Sequence, residues 1–180
     1  MQKTALSKSV FTLSDFLTPA ECTEFIARAD EIGWEEAKIT TRGGQRMLKS
    51  VRNNDRAFLK DEALAAALFE RLRPHVPEKY RTRTPVGLNE LFRLYRYFPG
   101  QRFKMHVDGA YVRNPNEASA LTFLIYLNED FAGGATRFLN HVVQPKTGMA
   151  LCFVHSIAHE GKEVFRGTKY VLRTDVMYAR

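Results

Sequence analysis

From Leu88 to the C-terminus, turn signals come so often that no long helix fits between them. Pro99-Gly100, Gly133-Gly134 and Pro145-Lys146-Thr147-Gly148 break the chain at short intervals, and proline and glycine at such spacing punctuate structure. Between the breaks lie Leu91 to Phe98, rich in aromatics, Phe103 to Asp108, Leu121 to Leu127, Thr136 to Leu139 and Met149 to Val154. A last segment runs from about Lys169 to Tyr178. Leu121 to Leu127 is almost continuously apolar, as a strand covered on both faces should be. Many short strands at close spacing predict an all-β barrel or jelly roll.

The N-terminal part reads as helical. Thr18-Pro19-Ala20-Glu21 offers a capping box with proline at the first helical position. Cys22, Phe25, Ile26, Ala29 and Ile32 then form one apolar stripe, and Gly33 supplies the C-cap. A second helix is expected from about Asp61 to Arg73, stopped by Pro74, with Leu64, Ala67, Leu68 and Leu72 on its buried face. Two amphipathic helices of this kind need a sheet to lie on. The 180 residues suit one domain with a sizeable core, residues 1–85 giving helical support and a basic loop and residues 86–180 the strand-rich core.

Between the helices, Lys38 to Lys60 holds seven Lys/Arg residues against one acid, Asp55. Arg42-Gly43-Gly44-Gln45 reads as a hairpin tip or mobile loop. The plain reading of this segment is a solvated basic surface, and the functional one is a lid facing a substrate. The formal net charge of +7 suits nucleic acid or an acidic substrate as a partner, but charge speaks to association rather than to chemistry. The two cysteines, Cys22 and Cys152, sit in apolar surroundings and read as buried thiols in a reducing compartment. The N-terminus lacks an apolar h-region, and no apolar run approaches the roughly 20 residues of a membrane span. A cytoplasmic protein without membrane contact is the expectation.

The residues that carry chemistry start from His106-Val107-Asp108. Positions two apart on a strand share a face, so His106 and Asp108 can aim at one point with Val107 turned away. A second histidine from a distant strand completes a facial set of two imidazoles and one carboxylate, which leaves open positions on iron(II) for oxygen. His155 and His159 compete for that place. His155 ends a strand and can equally be a core residue, while His159 stands where a strand leaves the core, and position alone favours it. On the last strand Lys169, Val171, Arg173 and Asp175 share one face, and Tyr170, Leu172, Thr174 and Val176 the other. The charged face is either solvent-exposed or turned into a barrel, where Lys169 or Arg173 would pair with an anionic cosubstrate. Tyr95 and Tyr97 share a face, and with Tyr126 they are either core aromatics or phenols that bond a carboxylate.

Taken together, four blocks resemble the iron(II)- and 2-oxoglutarate-dependent dioxygenases, in the prolyl 4-hydroxylase catalytic-domain-like branch. They are Tyr95 to Asp108, Leu121 to Asn128, Gly133 to Phe138 and His159 to Arg173, in that order. The resemblance covers roughly Val86 to Tyr178. It implies a double-stranded β-helix, a cupin-like jelly roll, with the N-terminal helices packed on its major sheet. It implies His106, Asp108 and His159 as iron ligands, because the distal histidine of this branch precedes the cosubstrate-binding lysine by ten positions, as His159 precedes Lys169. Lys169 is then the 2-oxoglutarate anchor, Arg173 the second choice for that role, and Tyr97 and Tyr126 further contacts to the cosubstrate. The implied cofactors are Fe(II), 2-oxoglutarate and O2, with ascorbate as an accessory reductant. The implied reaction couples decarboxylation of 2-oxoglutarate, to succinate and CO2, with hydroxylation of a C–H bond.

The resemblance does not name a substrate, because one scaffold hosts many functions. An amino acid, a peptide or protein side chain, or a small molecule fits. Collagen modification is doubtful, since the chain has no room for an added peptide-binding domain. Two other readings compete. A nucleic-acid dealkylating oxygenase would suit the basic segment, but that segment carries one aromatic, Phe58, where an extruded base needs apolar walls. A non-catalytic jelly-roll binding module would need no iron. The oligomeric state is open.

Overall fold

The computed structural model describes residues 1–37, the backbone of 39–41 and 44–46, and residues 50–180. Its main strands are β1 (Gln2–Ser7), β2 (Val10–Ser14), β3 (Asp55–Lys60), β4 (Leu91–Tyr97), β5 (Phe103–His106), β6 (Glu117–Tyr126), β7 (Thr136–Phe138), β8 (Ala150–Val154), β9 (His159–Gly161) and β10 (Lys169–Ala179). Two α-helices are described, α1 (Pro19–Ile32) and α2 (Glu62–Leu72). The molecule is mainly β, as the turn spacing predicts. Among the described residues, no helix is long and apolar enough to cross a membrane.

Two sheets face each other. The large one runs β1-β2-β8-β6-β10-β4-β3, extended beyond β3 by Glu35–Glu36. The small one runs Val142–Val143, β7, β9, β5. Each of these neighbouring pairs is antiparallel.

Side-chain alternation gives the large sheet two interiors. From β6, β8 and β10, the residues Phe123, Ile125, Cys152, Leu172 and Val176 join one hydrophobic cluster with Cys22, Phe25 and Ala29 of α1 and Leu68, Phe69 and Leu72 of α2. The alternate residues Tyr126, Leu151, Phe153 and Val171 join a second cluster with Tyr95, Tyr97 and Phe138. A strand can serve two cores in this way because its side chains alternate with period two. On β10 the face expected to be apolar contributes Tyr170, Leu172 and Val176 to the cluster shared with the helices.

Helix α1 begins as expected. Thr18 accepts from the Glu21 N–H, the Glu21 side chain accepts from the Thr18 N–H, and Gly33 caps the end at φ 93°. Of the expected stripe, Cys22, Phe25 and Ala29 are buried, but Ile32 at the last position is exposed. Helix α2 starts from an Asp61 cap and passes into a 3-10 turn at Arg73–His75. Its buried face is Ala65, Leu68, Phe69 and Leu72, whereas Ala67 is exposed. The bulkier Phe69 draws the stripe one position round the helix.

Residues 1–85, expected to give helical support and a basic loop, hold more than that. The first 85 residues also supply β1, β2 and β3, and β2 pairs with β8 inside the large sheet. Val10-Phe11-Thr12-Leu13-Ser14 does show an alternating stretch, and its burial follows. In the basic segment, Ile39–Thr41 pairs with Gly44–Arg46 as a hairpin, while Arg42 and Gly43 lie outside the described residues. The solvated-surface reading suits the exposed Lys60 but fails for Arg52 and Arg56, both buried.

The turn before β8 ties the helical side to the sheet. The Gly148 carbonyl accepts from the N–H groups of Phe16 and Leu17, just ahead of α1. Gly148 has φ 75°, and a Cβ there would meet the Leu17 oxygen at 2.0 Å. Gly148→Ala should therefore destabilise the fold by about 3 kcal/mol, combining left-handed strain with a backbone clash. Gly100→Ala, with similar φ but nothing near its added methyl, should cost about 1 kcal/mol. Urea unfolding of both variants checks the difference.

Candidate active site

The small sheet brings the sequence-predicted ligands together. His106 at the end of β5 lies directly opposite His159 at the start of β9 in the antiparallel register. Asp108 does not share their sheet, because β5 stops at His106. The expected arrangement of His106 and Asp108 on one strand is therefore not what forms. A hydrogen bond from the Asp108 N–H to the His155 carbonyl, 3.0 Å, pins the chain beyond the strand end instead. Val107 is turned out and exposed.

The three side chains still converge. Ligand atoms of His106, Asp108 and His159 all lie within 4.8 Å of one another. His106 Nε2 stands 3.7 Å from Asp108 Oδ1, and His159 Nε2 stands 3.7 Å from Asp108 Oδ2. Each imidazole is oriented from behind. His106 Nδ1 lies 2.7 Å from the Lys104 carbonyl and His159 Nδ1 lies 3.0 Å from the Ile157 carbonyl. A carbonyl can only accept, so Nδ1 carries the proton and Nε2 presents its lone pair to the centre. The His106 ring stacks on Phe103 at 3.5 Å, and His159 sits edge-on to Phe153 at 4.4 Å.

Protonation states suit a cation between these groups. Burial pushes His106 down to about 4, helped by the neighbouring His159. Burial likewise lowers His159. Burial alone would raise the Asp108 carboxyl, but Arg173, His159 and the Thr122 hydroxyl together hold it below its ordinary value. Two neutral imidazoles and a carboxylate, with open space on one side, form a donor set suited to a divalent transition metal.

Asp108 is held by Thr122, which the sequence reading missed, and by Arg173, which it read as a possible cosubstrate anchor. Thr122 Oγ1 donates to Asp108 Oδ2 at 2.6 Å and lies 2.9 Å from His155 Nδ1. His155 Nε2 is 2.8 Å from the Ser119 hydroxyl. Both nitrogens of His155 are thus committed to hydroxyls, and it stands beside the cluster rather than in it. A single threonine in the otherwise hydrophobic and aromatic run Leu121 to Leu127 is the signal that would have found Thr122. Arg173 Nη2 lies 3.1 Å from Asp108 Oδ1 and 3.4 Å from Asp175 Oδ1, so its charge is directed at carboxylates of the chain itself.

Lys169 is in a different state. It is buried, sits opposite Tyr97 in the β10–β4 register, and Nζ donates to the Gly134 carbonyl at 2.6 Å. The rings of Tyr97 and Tyr126 flank Nζ, each with its centroid 5.4 Å away. No carboxylate is paired with it among the described residues, and burial lowers its ammonium to about 7. Burial raises the Tyr97 phenol to about 12 and lifts that of Tyr126 further, so both keep their protons. Tyr126 Oη donates to Thr136 Oγ1 at 2.7 Å, which leaves the Thr136 proton free to point elsewhere. Lys169, Tyr97 and Thr136 line one chamber with His106, Asp108 and His159. An uncompensated buried ammonium beside hydroxyl donors fits a carboxylate ligand.

Comparison with known proteins agrees with this geometry. Residues 92–174 match the family described as the 2OG-Fe(II) oxygenase superfamily. The chain is 28% identical over 177 residues to a PKHD-type hydroxylase of Alteromonas mediterranea, covering 87% of this chain and 73% of the relative. In fold it resembles the viral collagen prolyl hydroxylase of Paramecium Bursaria Chlorella virus-1, with a TM-score of 0.67 and 20% identity over 97% of this chain and 98% of that one. It also resembles a Pseudomonas putida prolyl-4-hydroxylase, with a TM-score of 0.68 and 21% identity over 93% of this chain and 91% of that one. The two-sheet arrangement is thus a jelly roll of the kind these oxygenases use.

The Thr122 bridge has a measurable weight. Thr122→Val keeps the shape but leaves Asp108 Oδ2 and His155 Nδ1 without that hydroxyl. Chemical unfolding of the metal-free protein should show a loss of about 1–3 kcal/mol.

Proposed function

We propose that this chain, which matches the 2OG-Fe(II) oxygenase superfamily over residues 92–174, is a member of that family and works as a single catalytic domain hydroxylating a C–H bond, with 2-oxoglutarate converted to succinate and CO2. Enzymes of this family use Fe(II), 2-oxoglutarate and O2. The observation that carries the reading is the chamber itself: three metal-ligating side chains at one wall and a buried lysine without a carboxylate at the other. In this reading His106, Asp108 and His159 hold the iron, which supplies the oxygen-activating chemistry when bound.

The remaining residues bind and orient. Lys169 receives the far carboxylate of 2-oxoglutarate, with the Thr136 hydroxyl and the Tyr97 phenol as further donors. Tyr126 acts through Thr136, because its own proton is already committed there. Arg173 keeps Asp108 ionised and fixed in direction rather than serving as the cosubstrate anchor. The aromatic walls, Phe103 and Phe153 among them, keep water from the reacting atoms. The helices, which share a cluster with the large sheet, back the strands that carry these groups. The prime substrate is an amino acid, a peptide or protein side chain, or a small molecule; prolyl peptides are the first to try, given what the relatives are named for.

Two measurements test this. Anaerobic addition of Fe(II) and 2-oxoglutarate should produce a weak visible absorption band. It should vanish in His106→Ala and Asp108→Ala and persist in His155→Ala. A band lost in His155→Ala and kept in His106→Ala would reverse the ligand assignment.

The second concerns pH. Free Lys169 loses its proton around pH 7, whereas a bound carboxylate favours the ammonium. Binding therefore takes up a proton above that pH, and affinity for 2-oxoglutarate should fall by up to about tenfold per pH unit from 7 upward. Lys169→Arg, whose guanidinium stays charged, should show a flat profile from about pH 7 to 9. Calorimetric titration across that range reads both.

A further inference from the structure

On the outer side of the His106–Asp108–His159 cluster lies a second cleft, separate from the Lys169 chamber but sharing Tyr95, Phe103, His106, Asp108 and Arg173 with it. Its polar wall is dominated by arginine. Arg52, Arg56, Arg93 and Arg173 line it, against the carboxylates of Asp108 and Asp175. Arg56 is paired with Glu35 at 2.8 Å, and Arg173 is directed at Asp108 and Asp175. The other two have less to hold them.

Arg52 is 6% exposed and lies between two rings, 4.3 Å from the Tyr95 centroid and 4.5 Å from that of Phe103. Nε donates to the Asn54 side chain at 2.7 Å, and Nη2 has no hydrogen-bond partner. No carboxylate is paired with Arg52 among the described residues. Arg93 is partly exposed and reaches Asp175 through a single contact of 3.3 Å. Arg93 and Arg173 are also direct cross-strand neighbours, and the single carboxylate of Asp175 is shared between them, so two guanidinium groups draw on one counter-charge. Burial would raise the Tyr95 phenol, yet Arg52, Arg173 and Arg93 together bring it below its ordinary value, so all three guanidinium groups act on one point at the cleft wall. A buried cation without a counter-charge is costly, and planar guanidinium forks match carboxylate and phosphate oxygens.

We infer that this cleft binds an oxyanion of the prime substrate, a carboxylate or a phosphate ester, between Arg52 and Arg93. The inference rests on the reading of the Lys169 chamber as the 2-oxoglutarate site, since that assignment leaves the outer cleft for the second substrate. It narrows the substrate class to molecules that carry a negative group close to the C–H bond being oxidised. Arg52 also gives the basic segment a role: it is the described residue through which that segment reaches the substrate without a carboxylate of the chain in between.

The test uses the full chain loaded with Zn(II), a diamagnetic stand-in for Fe(II), and saturated with 2-oxoglutarate in 100 mM sodium chloride as background anion (about 0.1 M, a Debye length of roughly 10 Å). Acetate and sulfate are titrated separately while backbone amide resonances are followed. The expected result is a saturable shift at Val51, Arg52 and Tyr111 for at least one probe, weakened at least tenfold in both Arg52→Gln and Arg93→Gln. Tighter binding of sulfate points to a phosphate ester and tighter binding of acetate to a carboxylate. No saturable shift, or undiminished binding in the variants, overturns the inference while leaving the proposed function standing. Failure of 2-oxoglutarate itself to shift the amides of Gly134 and Thr136 overturns the proposed function instead. Arg93→Gln keeps the test decisive if Arg52→Gln does not fold.

Discussion

Strand β10 has to satisfy two interiors at once, and most of the molecule follows from how it does so. Leu172 and Val176 go into the cluster shared with the helices, and Val171 goes into the one between the sheets. The positions interleaved with the first set are Lys169, Arg173 and Asp175, three charged residues placed by the pleat inside the protein. Charges in such a place need company, and the neighbouring strands supply it in different ways. Asp108 and Asp175 meet Arg173, while Lys169 meets a carbonyl and two aromatic faces. A slip of β10 by one residue would put these charges among the helices and Leu172 and Val176 between the sheets. The register of one strand therefore fixes core, site and electrostatics together.

The contrast between the two cations explains a division of labour. Arg173 stays charged at any accessible pH and is matched to the chain's own carboxylates, so it contributes a fixed field. Lys169 sits near its ionisation point and has no permanent counter-charge, so its state depends on what occupies the chamber. Thr122 and Thr136 play corresponding parts at the two ends. The first gives its proton to Asp108, and the second accepts from Tyr126 and keeps its own proton available. Neighbouring strands thus present one end where a carboxylate is met by the chain's own donors and one where an ammonium is waiting for a partner.

Much of this was legible in the sequence. Turn spacing announced the β-rich core, alternation on the last strand separated its two faces, and the His106–Asp108–His159 set was assembled from residue type and a family resemblance. What was not legible depended on contacts between distant segments. That β5 ends before Asp108 is decided by the His155 carbonyl, about fifty positions away by sequence. That Arg52 is buried is decided by the Tyr95 and Phe103 rings, which a count of local charges cannot see. The β1–β2 hairpin was overlooked because its short, partly polar strands gain their stability from β8, and the α2 face was set by Phe69 rather than by the leucine spacing alone. Periodicity reports which side of an element is apolar; it does not report what is waiting on that side.

Cys22 and Cys152 are both free, buried and members of the helix-side cluster. Burial raises the Cys22 thiol to about 11 and lifts that of Cys152 further, so neither exists as a reactive thiolate near neutrality. The reacting centre lies on the other face of the large sheet. An enzyme that handles oxygen is exposed to its own stray oxidants whenever turnover misfires. Here the large sheet stands between that hazard and the sulfur of both cysteines, and the same alternation that builds the site turns Cys152 away from it.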